Sequence, residues 1–433
     1  MKRHLSLVLA SLFSVSAWGA DLMSVYRDAL GHDARFMAAK AQLEAGREQV
    51  VQGRAGLLPG IGASATTAWN QNTYAGIDRN FNSNTYGVEL RQPLFNWTSW
   101  QQYRQGELRT AQAEAQFELA RQDLILRVSE AYFNVLNAQD VLASLRTLRE
   151  AAAQQLELSK KSFEVGTVTV TDVHEAKSRF DLSSAQVIAA ENSLEVARQS
   201  LAQIIGAVPE GVQGLREGAS LSRPQPDEIG QWVQAAEMQS YGVQIQQIAT
   251  DIARREVSRN QAGHLPTLDV VAGVAQSNAG ATSASDSRYE ATTRSIGLEL
   301  NVPIFQGGLV SSRVRETAAL LVKSQADLDD ARRSAALSAR ESYLGVTNGL
   351  AQVQALEAAR VSSQSALEAN RLGYEVGVRI NIDVLNAQSQ LADAEQQLAK
   401  ARYDTLIAQL RLKAAVGTLG EEDIAQLNAL LKP

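Results

Sequence analysis

The sequence predicts a mixed α+β membrane protein whose chain supplies four membrane strands and a set of long coiled-coil helices. Three observations predict it: an internal duplication, two heptad runs of small and apolar residues, and short alternating segments confined between prolines.

The duplication is clearest in FEVGTVTVTDV at 163–173 and YEVGVRINIDV at 374–384, which lie 211 positions apart (374 − 163). Leu58-Pro59 answers Leu265-Pro266, QPLF at 92–95 answers VPIF at 302–305, and SEAYFNVL at 129–136 answers RESYLGVT at 340–347. IIGAV at 204–208 answers AAVGT at 414–418. Offsets rise from 207 to 210 between the two prolines of each copy and reach 211 beyond them, so most of the insertion lies between the prolines. Two copies of one unit thus make up nearly the whole chain.

The helices come next. Trp97–Ser162 holds no proline and one glycine, Gly106; Leu309–Leu372 holds no proline and only Gly345 and Gly349. After each tip phrase a seven-residue period begins. Val173, Phe180, Val187, Leu194 and Leu201 form one row, with Ala176, Ser183, Ala190, Ala197 and Ile204 three positions on. The second copy repeats it with Val384, Leu391, Leu398, Thr405 and Leu412, and Ala387, Ala394, Ala401 and Ala408. Such heptads specify a coiled-coil seam; a helix on a globular core would drift with the 3.6 period instead. A helix of about 65 residues spans roughly 100 Å, so four rods of that kind are expected to pack as antiparallel pairs. Gly166 and Gly377 are placed to end the outgoing rods, and Asp172 and Asp383 to sit in the first turn of the returning ones, where a carboxylate suits the helix N-terminus.

The strands lie between the prolines. Tyr86, Val88 and Leu90 alternate with Gly87, Glu89 and Arg91; Ile296, Leu298, Leu300 and Val302 alternate with Gly297, Glu299 and Asn301. Their expected partners are Ile61–Trp69 and Leu268–Gln276, joined by polar loops NQNTYAGIDRNFNSN and SNAGATSASDS. Trp69, Trp97 and Trp100 flank the first pair as aromatic girdles flank a membrane barrel. Four strands cannot close such a barrel, and an open edge is not tolerated in lipid, so the barrel must be shared between chains. Two chains would give eight strands with a filled interior; three would give twelve and a lumen, which the inward Gly, Glu and Arg positions favour.

The amino terminus sets the compartment. Lys2, Arg3 and His4 precede the apolar run Leu5–Val15 and the small residues Ser16, Ala17, Gly19 and Ala20. This predicts a signal peptide over 1–20, cleaved between Ala17 and Ala20, because the run is too short to span a bilayer. Without Lys2 and Arg3 the 41 basic residues fall to 39 against 47 acidic ones, near −8, and no basic cluster suggests nucleic acid. The chain has no cysteine, hence no disulfide after export.

Together, LLPG, GHLPTLD, QPLF, VPIFQGG, EAYFNVLNA, the two tip phrases and AAVGTLGEEDIAQLNALL resemble the TolC-type outer-membrane channel-tunnel family, which serves efflux and type I secretion. The resemblance covers the chain after the signal peptide. It implies a trimer with a 12-stranded β-barrel continuous with a 12-helix periplasmic α-barrel. It also implies a first repeat over 21–210, a connector over 211–229, a second repeat over 230–420 and a C-terminal segment over 421–433. The connector and C-terminal segment would form an equatorial belt. Implied partners are outer-membrane lipid, a periplasmic adaptor and an inner-membrane transporter. No cofactor, metal or catalytic residue is implied.

The resemblance also assigns roles at the tips. Thr171 and Asp172 on the first tip would bond Arg379 and Tyr374 of the second, holding the periplasmic end closed. Seen without the family, these residues are ordinary caps and solvated surface. Asp383 would form a constriction ring, and Asn386 stands where the family has a second acidic residue. Three carboxylates in place of six imply weaker cation preference and weaker block by multivalent cations. Adaptor docking falls on Val165, Gly166 and Thr167 and on Val376, Gly377 and Val378; Val378 departs from the family's Leu or Thr.

Two other function classes compete with this reading. An enzyme lacks support: His32, His174 and His264 are scattered, and no nucleophile, phosphate loop or zinc spacing is present. A secreted trimeric coiled-coil adhesin without channel activity fits the heptads and signal peptide, but not the alternating strands and paired prolines.

Overall fold

The computed structural model describes residues 19–74, 76–209, 211–216, 218, 221–281 and 287–432; apart from Gly19 and Ala20, the signal peptide expected over 1–20 lies outside them. Each repeat is built in one order. The first runs α1 (Leu22–His32), α2 (Ala34–Ala55), β1 (Gly60–Tyr74), β2 (Ile77–Phe95), α3 (Trp97–Glu164) and α4 (Val170–Ile205). The second runs α5 (Ile229–Gln239), α6 (Tyr241–Gln261), β3 (Thr267–Ala279), β4 (Tyr289–Asn301), α7 (Leu309–Glu375) and α8 (Asn381–Ala415), and α9 (Glu421–Asn428) follows.

The four strands form a sheet in the order β1-β2-β3-β4, antiparallel throughout. Register sorts their side chains onto two faces. Ile61 lies opposite Leu90, Leu90 opposite Ala272, and Ala272 opposite Ile296, so one face is a band of aliphatic residues. Ile61, Val88, Ile296, Leu298 and Leu300 of that face are all exposed. The other face carries Gly62, Glu89, Gly273 and Ser295 in one row. There Arg91 donates to Asp269 at 3.0 Å and to Glu299 at 2.9 Å. An exposed aliphatic band backed by a polar, charged face suits lipid on one side and water on the other.

The strands run further than alternation indicated. Residues expected as the loop NQNTYAGIDRNFNSN are mostly strand: β1 continues to Tyr74, the chain turns at Gly76 with φ +78°, and β2 resumes at Ile77. Polar cross-strand bonds hold this extension. Thr67 Oγ1 donates to Asn82 Oδ1 at 3.0 Å, Asn70 Nδ2 to Ser83 Oγ at 2.8 Å, and Thr73 to the Asp78 carboxylate. Polar residues dominate both faces there, with Ile77 and Phe81 as exceptions, so no regular apolar period marks the strand. Of the second expected loop, 277–279 belong to β3, and 282–286 lie outside the described residues.

By contacts the chain divides into two units. One comprises Ala38–Ala120 and Gln234–Leu337, and so holds the sheet. Its helices approach closely where glycine allows it: a Cβ on Gly106 would come within 2.5 Å of the Gln49 carbonyl, and one on Gly53 within 3.0 Å of Tyr103. At the start of α3 the Arg104 guanidinium lies 5.2 Å from the Trp100 ring. Thr250 of α6 donates to the Ser324 carbonyl of α7 at 3.1 Å.

The other unit comprises the described residues within 19–37, 121–233 and 338–432. The heptads read in the sequence are its seams: Val187, Leu194, Leu201, Ala176, Ser183 and Ala190 are buried on α4, as are Val384, Leu391, Leu398, Thr405 and Leu412 on α8. An ion pair crosses each hairpin at the same register with its charges exchanged. Arg146 of α3 meets Glu191 of α4 at 2.7 Å, and Glu357 of α7 meets Arg402 of α8 at 2.7 Å. Putting α8 in the place of α4 would set Arg146 against Arg402, so the exchange favours the native hairpins.

α8 carries a second buried face. Tyr403 donates to Asp140 at 2.6 Å, Arg411 to Glu130 at 2.7 Å, and Asn381 to Ser159 at 2.8 Å, all on α3. The opposite side of α4 instead exposes Leu182, Ile188 and Val196, and α7 exposes Val361 and Leu372.

One expectation about the helices is corrected. Only α3 and α7, at 68 and 67 residues, reach the expected length; α4 and α8 stop at 36 and 35. α4 ends in the left-handed Gly206 (φ +82°), whose missing Cβ leaves room for His32 of α1. Companions of the first half of α3 come from α2, which lies before the strands in sequence: Thr110 donates to the Gly46 carbonyl at 3.0 Å.

Candidate functional site: the paired helical tips

Both outgoing helices end the same way. After α3, Gly166 takes φ +77° and the Thr167 N–H bonds the Ser162 carbonyl at 2.9 Å; after α7, Gly377 takes φ +78° and the Val378 N–H bonds the Gly373 carbonyl at 2.9 Å. These are Schellman-type ends, which require a left-handed residue. Neither glycine has a neighbour that a Cβ would strike, so conformation alone calls for glycine. The turns leave Val165, Val376 and Val378 strongly exposed, at 75 %, 65 % and 75 %.

The returning helices start differently, and this divergence sets the chemistry of the tips. Thr169 caps α4 and forms a capping box with Asp172: the Thr169 N–H and Oγ1 each donate to Asp172 Oδ2 at 2.8 Å. The equivalent cap of α8 is Ile380, whose side chain has no oxygen to offer. Asp383 is thereby left to face Arg379, 3.6 Å away. One tip holds its carboxylate against its own backbone; the other holds it against a cation.

Within one chain the tips lie side by side. Asp172, Tyr374 and Arg379 line a common groove of about 870 Å³ with Thr167, Asn381 and Gln388. Tyr374 is half-buried and packs against Leu367, Val384, Ala387 and Leu391. Thr171 does not line the groove and is exposed. The groove thus gathers three of the four residues assigned to the gate. In the single chain, however, Asp172 is occupied by Thr169, and Arg379 by Asp383.

Asn386 lies one turn beyond Asp383, and its Oδ1 accepts from Arg179 Nη2 of α4 at 3.1 Å. Sequence reasoning missed Arg179, and also the cap Thr169. The contrast of Thr169 with Ile380 at an offset of 211 was available as a signal (380 − 169). The link between Arg179 and Asn386 depends on how the hairpins are set together, which no local pattern encodes. Among the described residues no group of His, Asp and Glu could hold a metal ion, and no helix is long and apolar enough to cross a membrane.

Removing the cap gives a first prediction. Thr169→Ala should cost about 1 kcal/mol at the start of α4. Amide hydrogen exchange at Thr171–Val173 should speed up about fivefold while the α8 start is unchanged. Equal protection in both chains would show that the cap contributes nothing.

The comparisons with known proteins agree with this architecture. The sequence pattern described as outer membrane efflux protein matches residues 25–207 and again 232–418. The chain is 33% identical to outer membrane protein TolC of Escherichia coli K12, over 100% of this chain and 90% of that protein. It is 32% identical to the proteases secretion protein PrtF of Dickeya chrysanthemi, over 99% of this chain and 95% of that protein. The crystal structure of the outer membrane protein VceC of Vibrio cholerae superposes with a TM-score of 0.78 at 18% identity, covering 92% of this chain and 99% of that one. A family pattern matched in both halves, with full-length relatives above 30% identity, makes this chain a member of the outer membrane efflux protein family.

Proposed function

We propose that this outer-membrane exit duct works as a homotrimer, closed at its helical tips and opened when a periplasmic adaptor docks there. Its membership of a channel family displaces the adhesin alternative. The observation that carries the trimer is the pair of open margins. The sheet ends on β1 and β4, which have no further strand partner among the described residues. The helices offer matching margins in the exposed aliphatic residues of α4 and α7. Unpaired strand edges are excluded from lipid, so β4 of one chain pairs with β1 of the next, and three chains give twelve strands. The two repeats, 21–210 and 230–420, then each contribute a strand pair and a helix hairpin. The connector 211–229 and segment 421–433 form the belt around them.

At the tips, Arg379 and Tyr374 of one hairpin approach Asp172 and Thr171 of the hairpin beside it. Arg379 exchanges Asp383 for Asp172, an exchange of one carboxylate for another that costs little. A gate built on such near-balanced bonds shifts state under a modest difference in adaptor affinity. The exposed valines at 165, 376 and 378 offer the adaptor an apolar contact flanked by Gly166, Gly377 and Thr167. Through that adaptor the duct serves an inner-membrane transporter. The likeness to TolC and to a proteases secretion protein supports drug efflux, type I secretion of proteins, or both. The duct is passive: it needs no cofactor and performs no chemistry of its own.

Single-channel current in a planar bilayer tests this reading. The purified protein should show a small resting conductance, and Arg379→Ser should raise it at least about threefold by releasing the closed state. A stable conductance unchanged by the substitution would keep the channel and remove the gate assignment. Correctly assembled trimers without conductance would remove the duct.

A further inference from the structure

The bond between Arg179 and Asn386 has no role in the gate described above. It joins α4 to α8, the returning helices of the two hairpins, across 207 residues of sequence. Beside it lies a groove of about 510 Å³ walled by Leu145 and Leu148 of α3, Leu182 and Ser183 of α4, and Leu385 and Ser389 of α8. At this level α4 and α8 are therefore joined by a polar strut, while α8 also bonds α3, where Ser144 donates to the Ala392 carbonyl at 3.4 Å. The strut stands about two turns beyond Asp172 along α4 and about one turn beyond Asp383 along α8.

Resting on the gated-duct reading, we propose that Arg179 and Asn386 form a second latch of the tip, set behind the first, and that Arg179 also sets the charge of the mouth. A guanidinium bound to an amide oxygen makes a charge-assisted bond, but its acceptor is neutral. The bond holds the hairpins together while leaving the charge of Arg179 uncompensated. Arg379 is offset in either state, by Asp383 at 3.6 Å in the single chain and by Asp172 in the closed tip. A carboxylate at 386 would do the opposite: it would tighten the latch into an ion pair and cancel the cation. The pairing of asparagine with arginine thus gives a latch that opens easily and a mouth with little preference for cations.

Two substitutions separate the latch from the charge. Arg179→Gln removes the ionic donor and one positive charge; Asn386→Asp strengthens the bond and adds one negative charge. Both make the mouth one unit more negative per chain. Both should therefore raise the cation-to-anion permeability ratio, read from reversal potentials in a salt gradient, about twofold. Resting conductance should move in opposite directions, up about threefold in Arg179→Gln and below the parent in Asn386→Asp. A general loosening of the helices would not produce opposite conductance with parallel selectivity.

Conductance shifting the same way in both variants would show that charge alone acts and overturn the latch. Arg379→Ser, measured in parallel, serves as the reference. A rise there with no change in Arg179→Gln sinks the latch and keeps the gate; no rise in either sinks the gate itself. If Arg179→Gln fails to assemble, Arg179→Lys retains the charge but not the planar fork. It should raise conductance with an unchanged reversal potential, and an unchanged conductance there would overturn the latch equally.

Discussion

Arg127→Leu is expected to remove most of the assembled protein from the membrane fraction, although Arg127 is far from the tips and from the sheet in sequence. Its guanidinium clamps Asp33 at 2.7 and 2.9 Å, and Asp33 is only 4% exposed. The carboxylate also accepts the Phe36 N–H at 2.7 Å, so it caps α2 at the junction with α1. Removing the cation strands a buried carboxylate, which typically costs about 3–5 kcal/mol, a large part of a domain's stability. The double variant Arg127→Leu with Asp33→Asn should recover most of that loss, because no charge is then buried alone. Thermal melting by circular dichroism, with trimer yield, separates the three chains. Equal melting of the parent and Arg127→Leu would show that the pair contributes nothing.

The same pair sets an acid limit. The Arg127 guanidinium, aided by the Phe36 N–H, outweighs burial and holds the Asp33 carboxyl below its ordinary value of 3.8. A carboxyl lowered in the folded state binds its proton more readily in the unfolded one. Its stabilisation is therefore complete above the ordinary value and is lost as pH falls through the lowered one. The parent should lose more stability below about pH 4 than the double variant, which lacks the group.

What the sequence disclosed, and what it withheld, follows the range of the interactions. The heptads Val173–Leu201 and Val384–Leu412 repeat a local period, and they fall on the buried seams of α4 and α8. Gly166 and Gly377 end helices through their own backbone angles, again a local property. The inward and outward faces of the strands were legible from Val88 to Leu90 and from Ile296 to Leu300, where one face is apolar. They were not legible from Asn70 to Asn84, where cross-strand polar bonds replace that period.

Length of the returning helices was misjudged because a long proline-free run says nothing about its partner. The first part of α3 is matched by α2, whose contact at Gly46 and Gly106 spans the two strands. At the tips, the family resemblance brought forward Asp172, Tyr374 and Arg379, and the groove does gather them. Their occupied partners, Thr169 and Asp383, and the Arg179 strut depend on side-chain geometry between separate helices.

Ile296→Arg should be the most damaging single change on the sheet, and Ser295→Arg, one residue away, among the mildest. Ile296 stands on the aliphatic face opposite Ala272, and it is 81% exposed. Ser295 stands on the other face opposite Gly273, in the row that contains Glu89. An arginine facing lipid near the midplane costs about 2–4 kcal/mol per chain, so in the proposed trimer three copies would cost about 6–12 kcal/mol. On the polar face the same side chain stays in water. The comparison holds size and charge constant and changes only the direction in which the residue points.

Insertion into lipid vesicles followed by heat-resistant trimer bands gives the readout. Loss of trimers in Ile296→Arg with near-normal yield in Ser295→Arg is the expected result. Equal loss in both would mean that neither face meets water. Equal tolerance would mean that the aliphatic band does not meet lipid, and the open edges of β1 and β4 would then need a different explanation. The sheet's two-faced character therefore supports the shared barrel more directly than strand number does. Four strands can pair into many kinds of sheet, whereas an exposed aliphatic face backed by Arg91, Asp269 and Glu299 suits lipid on one side and water on the other.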